Sequence, residues 1–414
     1  MSKSKAYLSK TGKHALDDAI NKAVAGGQLP GVVLGVSNLD EEIYFKGGGP
    51  LDAGDPKSGE VDPDTVFWIC SQTKMIVALA ALKLIEQGKL SYVTPVSDYL
   101  DEFKSPIIVT RTSTQETAFR PARSVVTVKH LLNFSSGLFY PIVPGDLFGL
   151  AEGYYSKDMH AAQDPVKNFF DIVKGKLPAL PLKFEPGTNF VYGWSSDVLG
   201  FLIEKVAQQS LEKFCKEHIF EPLDIQASFY LKGQLRAKIV NLAYRDSEAK
   251  LHSWAAQVKI IEQDANKVRL HLGGIGLYTS MRSYLKLLRH IMQINVGMAV
   301  TKPILALESV RTLFAPSLTD KGAKSLSSFM MTEGTQWSSA LAITTKDWPR
   351  RRRRGSAFWS GWAGTNYFMD PATGIAVVFA SQIVPPDATD PECTRLFELL
   401  EELVYSALQT SSKL

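Results

Sequence analysis

The chain has 414 residues, 45% of them hydrophobic and 21% charged, with a formal net charge of +4 at pH 7. That composition is ordinary for a globular protein with a large core and excludes a disordered or fibrous chain. The net charge is too small to point to nucleic acid, and no apolar stretch reaches bilayer length, so no membrane span is expected.

The first predicted helix runs from His14 to Ala25 and stops at Gly26-Gly27. Two short β-rich runs follow, Gly31 to Ser37 and Glu42 to Lys46, joined by Asn38-Leu39-Asp40-Glu41 as in a hairpin. Gly47 to Gly59 reads as a turn-rich loop. Phe67-Trp68-Ile69-Cys70 is strand-like and leads into Ser71-Gln72-Thr73-Lys74. The run from Met75 to Ile85 has no polar stripe, which marks a buried central helix, and Gly88 supplies its stop. From about 100 to 298 the chain reads mostly helical with long loops. Helices are predicted at Val128 to Leu132, Asp197 to Gln208, Leu211 to Ile219 and Ser280 to Ile294. β character returns in Asn366 to Met369 and Gly374 to Ala380, around the turn Asp370-Pro371-Ala372-Thr373. An amphipathic helix from Pro391 to Leu408 closes the chain.

Strands and a helix at both ends predict an α/β (α+β) fold. One central antiparallel sheet would be flanked by the N- and C-terminal helices. A single domain is expected, with an α/β part over about 1–99 and 299–409. A mostly helical part over 100–298 is inserted between them, and 410–414 form a flexible tail.

The chemistry-bearing pattern is Ser71-x-x-Lys74. Residues i and i+3 share a helix face, so the amine can reach the hydroxyl. Serine is a weak nucleophile until an adjacent base takes its proton, and a buried lysine is one such base. Ser-x-x-Lys starts five times here, at Ser2, Ser71, Ser210, Ser247 and Ser283. Only at Ser71 does it sit between an apolar strand-like run and an apolar helix. The plainer alternative makes Ser71 an N-cap, with Lys74 reaching out to water.

Such a pair needs a proton route and donors for an oxyanion. Tyr192, in the loop after Pro186-Gly187, is the candidate relay, because a phenol near an ammonium can pass protons. Its alternative is a packing residue. In Trp359-Ser360-Gly361-Trp362-Ala363-Gly364-Thr365-Asn366, small residues alternate with tryptophans, which suits close backbone approach to a ligand. A backbone N–H there would pair with that of Ser71. The alternative is a bulged strand. No Gly-x-Ser-x-Gly elbow, Walker A loop or His-Glu-x-x-His occurs, and the seven histidines show no metal spacing; no metal or cofactor is expected.

These segments together resemble class C β-lactamases and their relatives among serine esterases and penicillin-binding peptidases, in particular the fungal branch with the lovastatin-type acyltransferase. The resemblance spans about Ala15 to Ala407. It rests on Ser71-x-x-Lys74, His130 to Leu138, Pro186-Gly187 with Tyr192, Gly273-Gly274-Ile275-Gly276-Leu277, and Trp359-Ser360-Gly361 leading to Asp370-Pro371. It implies Ser71 as acylated nucleophile, Lys74 as base and Tyr192 as relay, with the N–H groups of Ser71 and Trp362 as oxyanion hole. Trp359, Ser360 and Gly361 then match the lactamases' Lys-Thr-Gly strand. Trp359 stands where those enzymes carry a cation for a substrate carboxylate. Trp194, with Ser195 beside it, replaces the Asn of their Tyr-x-Asn motif. Both changes make the pocket more aromatic and favour esters or thioesters over lactams.

The expectation is a serine acyl-transfer enzyme moving an acyl group from an ester or thioester, coenzyme A thioesters included, to a small-molecule alcohol or water, in secondary metabolism. A plain carboxylesterase with weak β-lactamase activity and a catalytically silent ligand-binding member remain as alternatives. Cys70, Cys215 and Cys393 are too few for a disulfide framework and fit a reducing compartment. The first ten residues lack the apolar core of a signal peptide. The last three, Ser412-Lys413-Leu414, match the address read by the peroxisomal import receptor. Arg350 to Arg354 read as a solvated loop, or else as a site for a donor's phosphates at the pocket rim.

Overall fold

The computed structural model describes residues 5–111, 117–140, 155–255, 260–384 and 390–411. Ser412-Lys413-Leu414 and the Ser-x-x-Lys at Ser2 therefore fall outside the described residues or begin there. No described helix is long and apolar enough to cross a membrane.

Helix α1 (Lys10–Ala25) starts where the Ser9 hydroxyl accepts the Gly12 N–H, and it buries Leu16, Ile20 and Ala23 along one stripe. This start lies a turn earlier than the sequence pattern indicates, because the cap rather than the first apolar residue sets it. Strands β1 (Val32–Ser37) and β2 (Glu42–Gly48) form the expected hairpin. The Asn38 side chain shapes its turn by accepting the Asp40 and Glu41 N–H groups. Helix α2 (Thr73–Glu86) is buried from Thr73 through Leu82, as its unbroken apolar run requires. It packs on α3 (Ser195–Ala207). Helix α4 (Met281–Asn295) and helix α5 (Asp320–Phe329) lead into the remaining strands. These are β3 (Thr335–Trp337), β4 (Ala342–Thr344), β5 (Ala357–Gly361), β6 (Thr365–Asp370) and β7 (Ile375–Ala380). Helix α6 (Pro391–Ala407) follows.

The central sheet has seven strands in the order β3-β4-β5-β6-β7-β1-β2, all antiparallel. Side chains alternate between its faces. Phe368 and Phe379 meet Tyr405 and Phe397 of α6, so that face lies under the terminal helices. Tyr367, one residue along, meets Tyr284 of α4 on the other face. Burial on both faces explains why β7 is apolar at every position instead of alternating. Outside this sheet, Lys5–Leu8 pairs with Leu408–Ser411 and ties the two ends together.

Some elements depart from the sequence pattern. Gly47 to Gly59 is no plain loop: Pro50–Asp52 pairs with Asp55–Glu60. Asp55–Glu60 is polar and largely exposed and Pro50–Asp52 is only three residues long and half-buried, so no hydrophobic period marks them. The middle of the chain also holds a small sheet of Ile107–Arg111, Thr117–Pro121 and Pro181–Leu182.

The arginine run needs correction. It joins β4 to β5 at the Ala357 end of β5, whereas Gly361, at the other end, meets the turn before α2. Four of its five charges have carboxylate partners. Arg352 is 3% exposed and forms a two-pronged pair with Glu401 of α6, at 2.8 and 2.7 Å. Arg350 pairs with Glu402, Arg351 with Glu398 and Glu401, and Arg353 with Asp347. Trp348, Phe358 and Phe368 rings pack on the Arg352 guanidinium. The run is neither a fully solvated loop nor a phosphate site at the pocket rim; it fastens α6 to the sheet.

Candidate active site

The strand Val66–Trp68 brings the chain to Ser71. Gln382 clamps this strand, its amide oxygen accepting the Trp68 N–H and its amide nitrogen donating to the Trp68 carbonyl, both at 3.0 Å. Cys70 then turns the chain with φ of 47°, a conformation that side chains other than glycine's adopt under strain. Two contacts fix the start of α2. Thr73 Oγ1 accepts the Leu277 N–H at 3.0 Å, and the Tyr284 hydroxyl donates to the Gln72 carbonyl at 3.1 Å.

Gln72, and not Ser71, is the N-cap of α2, and it caps without its side chain. The Ser71 hydroxyl is thus left for the lysine. Lys74 is 2% exposed, so it does not reach out to water. Its Nζ donates to Ser71 Oγ at 3.0 Å and to the Gly274 carbonyl at 2.7 Å. It lies 4.8 Å from the ring centre of Tyr192 and 5.7 Å from that of Tyr140. Both positions are attractive for a cation over a π face.

Tyr192 is half-buried between Phe134, at 5.3 Å, and Phe329, at 5.2 Å. The Trp359 indole N–H donates to its hydroxyl oxygen at 3.2 Å. The segment from His130 to Leu138 supports this loop. Gly187 N–H donates to the Ser135 carbonyl and Val191 N–H to the Phe134 carbonyl. A Cβ on Gly187 would stand 2.9 Å from His130 Nε2, so only glycine lets the loop close.

Gly361 has a similar duty. A Cβ there would meet Thr365 Oγ1 and stand 2.5 Å from the Ile69 carbonyl oxygen, so its absence lets β5 lie against the Ser71 turn. β4 pairs with β5 only at Ala357 and Phe358, leaving one edge of Trp359 to Gly361 without a strand among the described residues. Burial pushes the Cys70 thiol up in pKa, against the opposing pull of the Lys74 charge and of the nearby Trp362 and Ser71 backbone. Ser360 is exposed, on the face of the strand opposite Trp359.

Trp194 and Ser195 require correction as substrate contacts. Trp194 is 1% exposed, behind Tyr140, Tyr155 and Phe169 with ring centres at 4.6, 4.8 and 5.2 Å. Ser195 is fully buried and shares a 2.8 Å hydrogen bond with Ser136. Both begin α3, where the helix turns inward and buries them; they back the pocket wall instead of facing a substrate.

Sequence reasoning missed Asp197. It is fully buried in the first turn of α3. Its carboxylate accepts the Gly274 N–H and the Tyr155 hydroxyl, each at 2.8 Å. Burial raises its pKa to about 6, against the opposing pull of the nearby Lys74 charge. The available signal was an acid at the head of the run Val198-Leu199-Gly200-Phe201-Leu202-Ile203, since a charge rarely enters so apolar a helix without a partner. Among the described residues, no group of three or more His, Cys, Asp or Glu side chains could hold a metal ion.

Residues 16–400 match the family described as Beta-lactamase. The chain is 25% identical to Esterase EstB of Burkholderia gladioli, with 94% of both chains covered. It is also 25% identical to the ML-236A carboxylate methylbutanoyltransferase mlcH of Penicillium citrinum, over 95% of this chain and 94% of that one. The lovastatin esterase of Penicillium rubens is 29% identical over 68% of this chain and 69% of its own. In fold it is similar to the unliganded simvastatin synthase LovD of Aspergillus terreus, with a TM-score of 0.77, 21% identity, and 96% and 99% of the two chains covered. With the family match spanning nearly its whole length, on an antiparallel sheet whose edge meets a buried Ser–Lys pair, the chain belongs to the beta-lactamase family.

Proposed function

We propose that the protein is a serine acyl-transfer enzyme in which Ser71 carries the acyl group. The observation that carries this reading is the buried 3.0 Å contact between Lys74 Nζ and Ser71 Oγ. Lys74 takes the Ser71 proton as Oγ attacks the acyl carbonyl. The N–H groups of Ser71 and Trp362 receive the oxyanion. Tyr192 passes a proton to the leaving alcohol or thiol, and the acyl-enzyme is then resolved by an alcohol or water. No cofactor takes part. Relatives named as esterases and as methylbutanoyltransferases support both resolutions.

The donor in this reading is an ester or thioester whose acyl part carries no carboxylate, because Trp359 offers an indole N–H where a carboxylate-bearing lactam needs a cation. A neutral aryl ester should exceed every carboxylate-bearing cephalosporin in kcat/KM. A cephalosporin turned over more efficiently than the best ester would refute the substrate assignment. The reading also places the enzyme in peroxisomes through Ser412-Lys413-Leu414, beside a pool of coenzyme A thioesters. Deleting those three residues should disperse a tagged protein through the cytosol; an unchanged distribution would refute that placement.

A further inference from the structure

We propose that Asp197 is the positioning residue of the Ser71–Lys74 pair: it anchors the residue that holds the lysine amine, and it supplies the buried negative charge that amine faces. The proposal rests on the acyl-transfer reading and adds a component to it.

The geometry runs through Gly274. Its N–H donates to Asp197 Oδ1 at 2.8 Å, and its carbonyl accepts Lys74 Nζ at 2.7 Å. A Cβ on Gly274 would stand 2.5 Å from Asp197 Oδ2 and 2.8 Å from the Tyr155 hydroxyl, so the segment can approach only as glycine. Tyr155 donates to Oδ2 at 2.8 Å. Its one proton is thereby committed, so Tyr140, 3.0 Å away, is the donor to the Tyr155 oxygen. Tyr140 in turn packs on Tyr192, with ring centres 5.6 Å apart. The titratable groups facing Asp197 are Lys74 from α2 and the phenols of Tyr155 and Tyr140. Lys74 is the one cation among them.

The chemistry follows from where charge develops. As the Ser71 O–H bond breaks, the proton moves to Lys74 Nζ and an ammonium remains inside the protein. A carboxylate fixed nearby stabilises that ammonium before the oxyanion decays. Its position in the first turn of α3 favours the ionised form further. Burial opposes ionisation, so Asp197 keeps its charge only above about pH 6.

Asp197→Asn keeps an acceptor for the Gly274 N–H and removes the charge. The expected result is a fall in kcat of about 10- to 100-fold on an aryl ester, with KM changed less than about twofold. The acid limb of the rate profile should move to lower pH, since the carboxyl that loses its charge near pH 6 is no longer there. A profile and kcat matching the unsubstituted enzyme would overturn the proposal. Tyr155→Phe is the second variant, should Asp197→Asn not fold; it withdraws a hydrogen bond that favours the ionised carboxylate, so Asp197 loses its charge at higher pH and the acid limb should move up. An unmoved limb there would also overturn the proposal. Lys74 can be followed separately by NMR with lysine labelled with carbon-13 at Cε, in Ser71→Ala. A midpoint lowered by Asp197→Asn supports the charge coupling even if no ester is turned over, in which case only the acyl-transfer reading fails. An unmoved midpoint overturns the coupling itself.

Discussion

The Lys74 amine sits among two hydrogen-bond acceptors and two aromatic rings, so its place is set from several sides at once. Tyr192 is likewise held between two rings, with the Trp359 N–H on its oxygen. If lysine and tyrosine move one proton between them, losing either should break the same step. Lys74→Ala and Tyr192→Phe together should then cost about as much as the worse single change. Multiplicative losses in a kinetic double-mutant cycle would separate them. Ser71 and Lys74 were legible in the sequence because their contact is local, three residues apart on one helix. The Asp197–Gly274 contact spans 77 residues and is made only by the tertiary fold. Trp194 was misread for a related reason: spacing from Tyr192 tells which residue fills a motif position, but not which way the chain has turned there.

At the scale of elements, hydrophobic period carried most of the reading. The β1–β2 hairpin, α2, β6 and β7 emerge within a residue or three of their bounds because their apolar patterns are strong. The polar strands after β2 had no such pattern. The arginine run misled because charge in a sequence reads as solvent, while here most of it meets acids of α6. Glu401 is the centre of that join. Burial pushes its pKa up, but Arg352 and Arg351 outweigh burial and hold it below the usual carboxylate range. Removing one partner of a buried pair strands the other charge, so Glu401→Gln should cost on the order of 3–5 kcal/mol. The sign with pH is fixed by the depressed value. The pair's contribution is fully present above the unfolded glutamate range and is lost as pH falls through the lower folded value. Denaturation of the two proteins should therefore differ most at neutral pH and converge in acid. A difference that grew on acidification would show that Glu401 is not the stabilising anion.

The whole molecule places the Ser71–Lys74 pair at a seam. One side is the end of β5, bent close by Gly361. The other is the buried head of α2 with α3 behind it, and the Gly273-Gly274 segment closes the back. The terminal helices and the arginine join cover the opposite face of the sheet, so they steady the platform without entering the site. The order of segments along the chain, rather than any one motif, made this architecture readable, because each segment supplies a different wall. The central claim is that Ser71 carries the acyl group, and intact-mass spectrometry after mixing with aryl esters and acyl thioesters tests it most directly. The account predicts one added acyl mass per chain, mapped to the peptide holding Ser71 and absent in Ser71→Ala with the fold retained. An adduct of the same mass on Ser71→Ala, or one mapped to another residue, would contradict it.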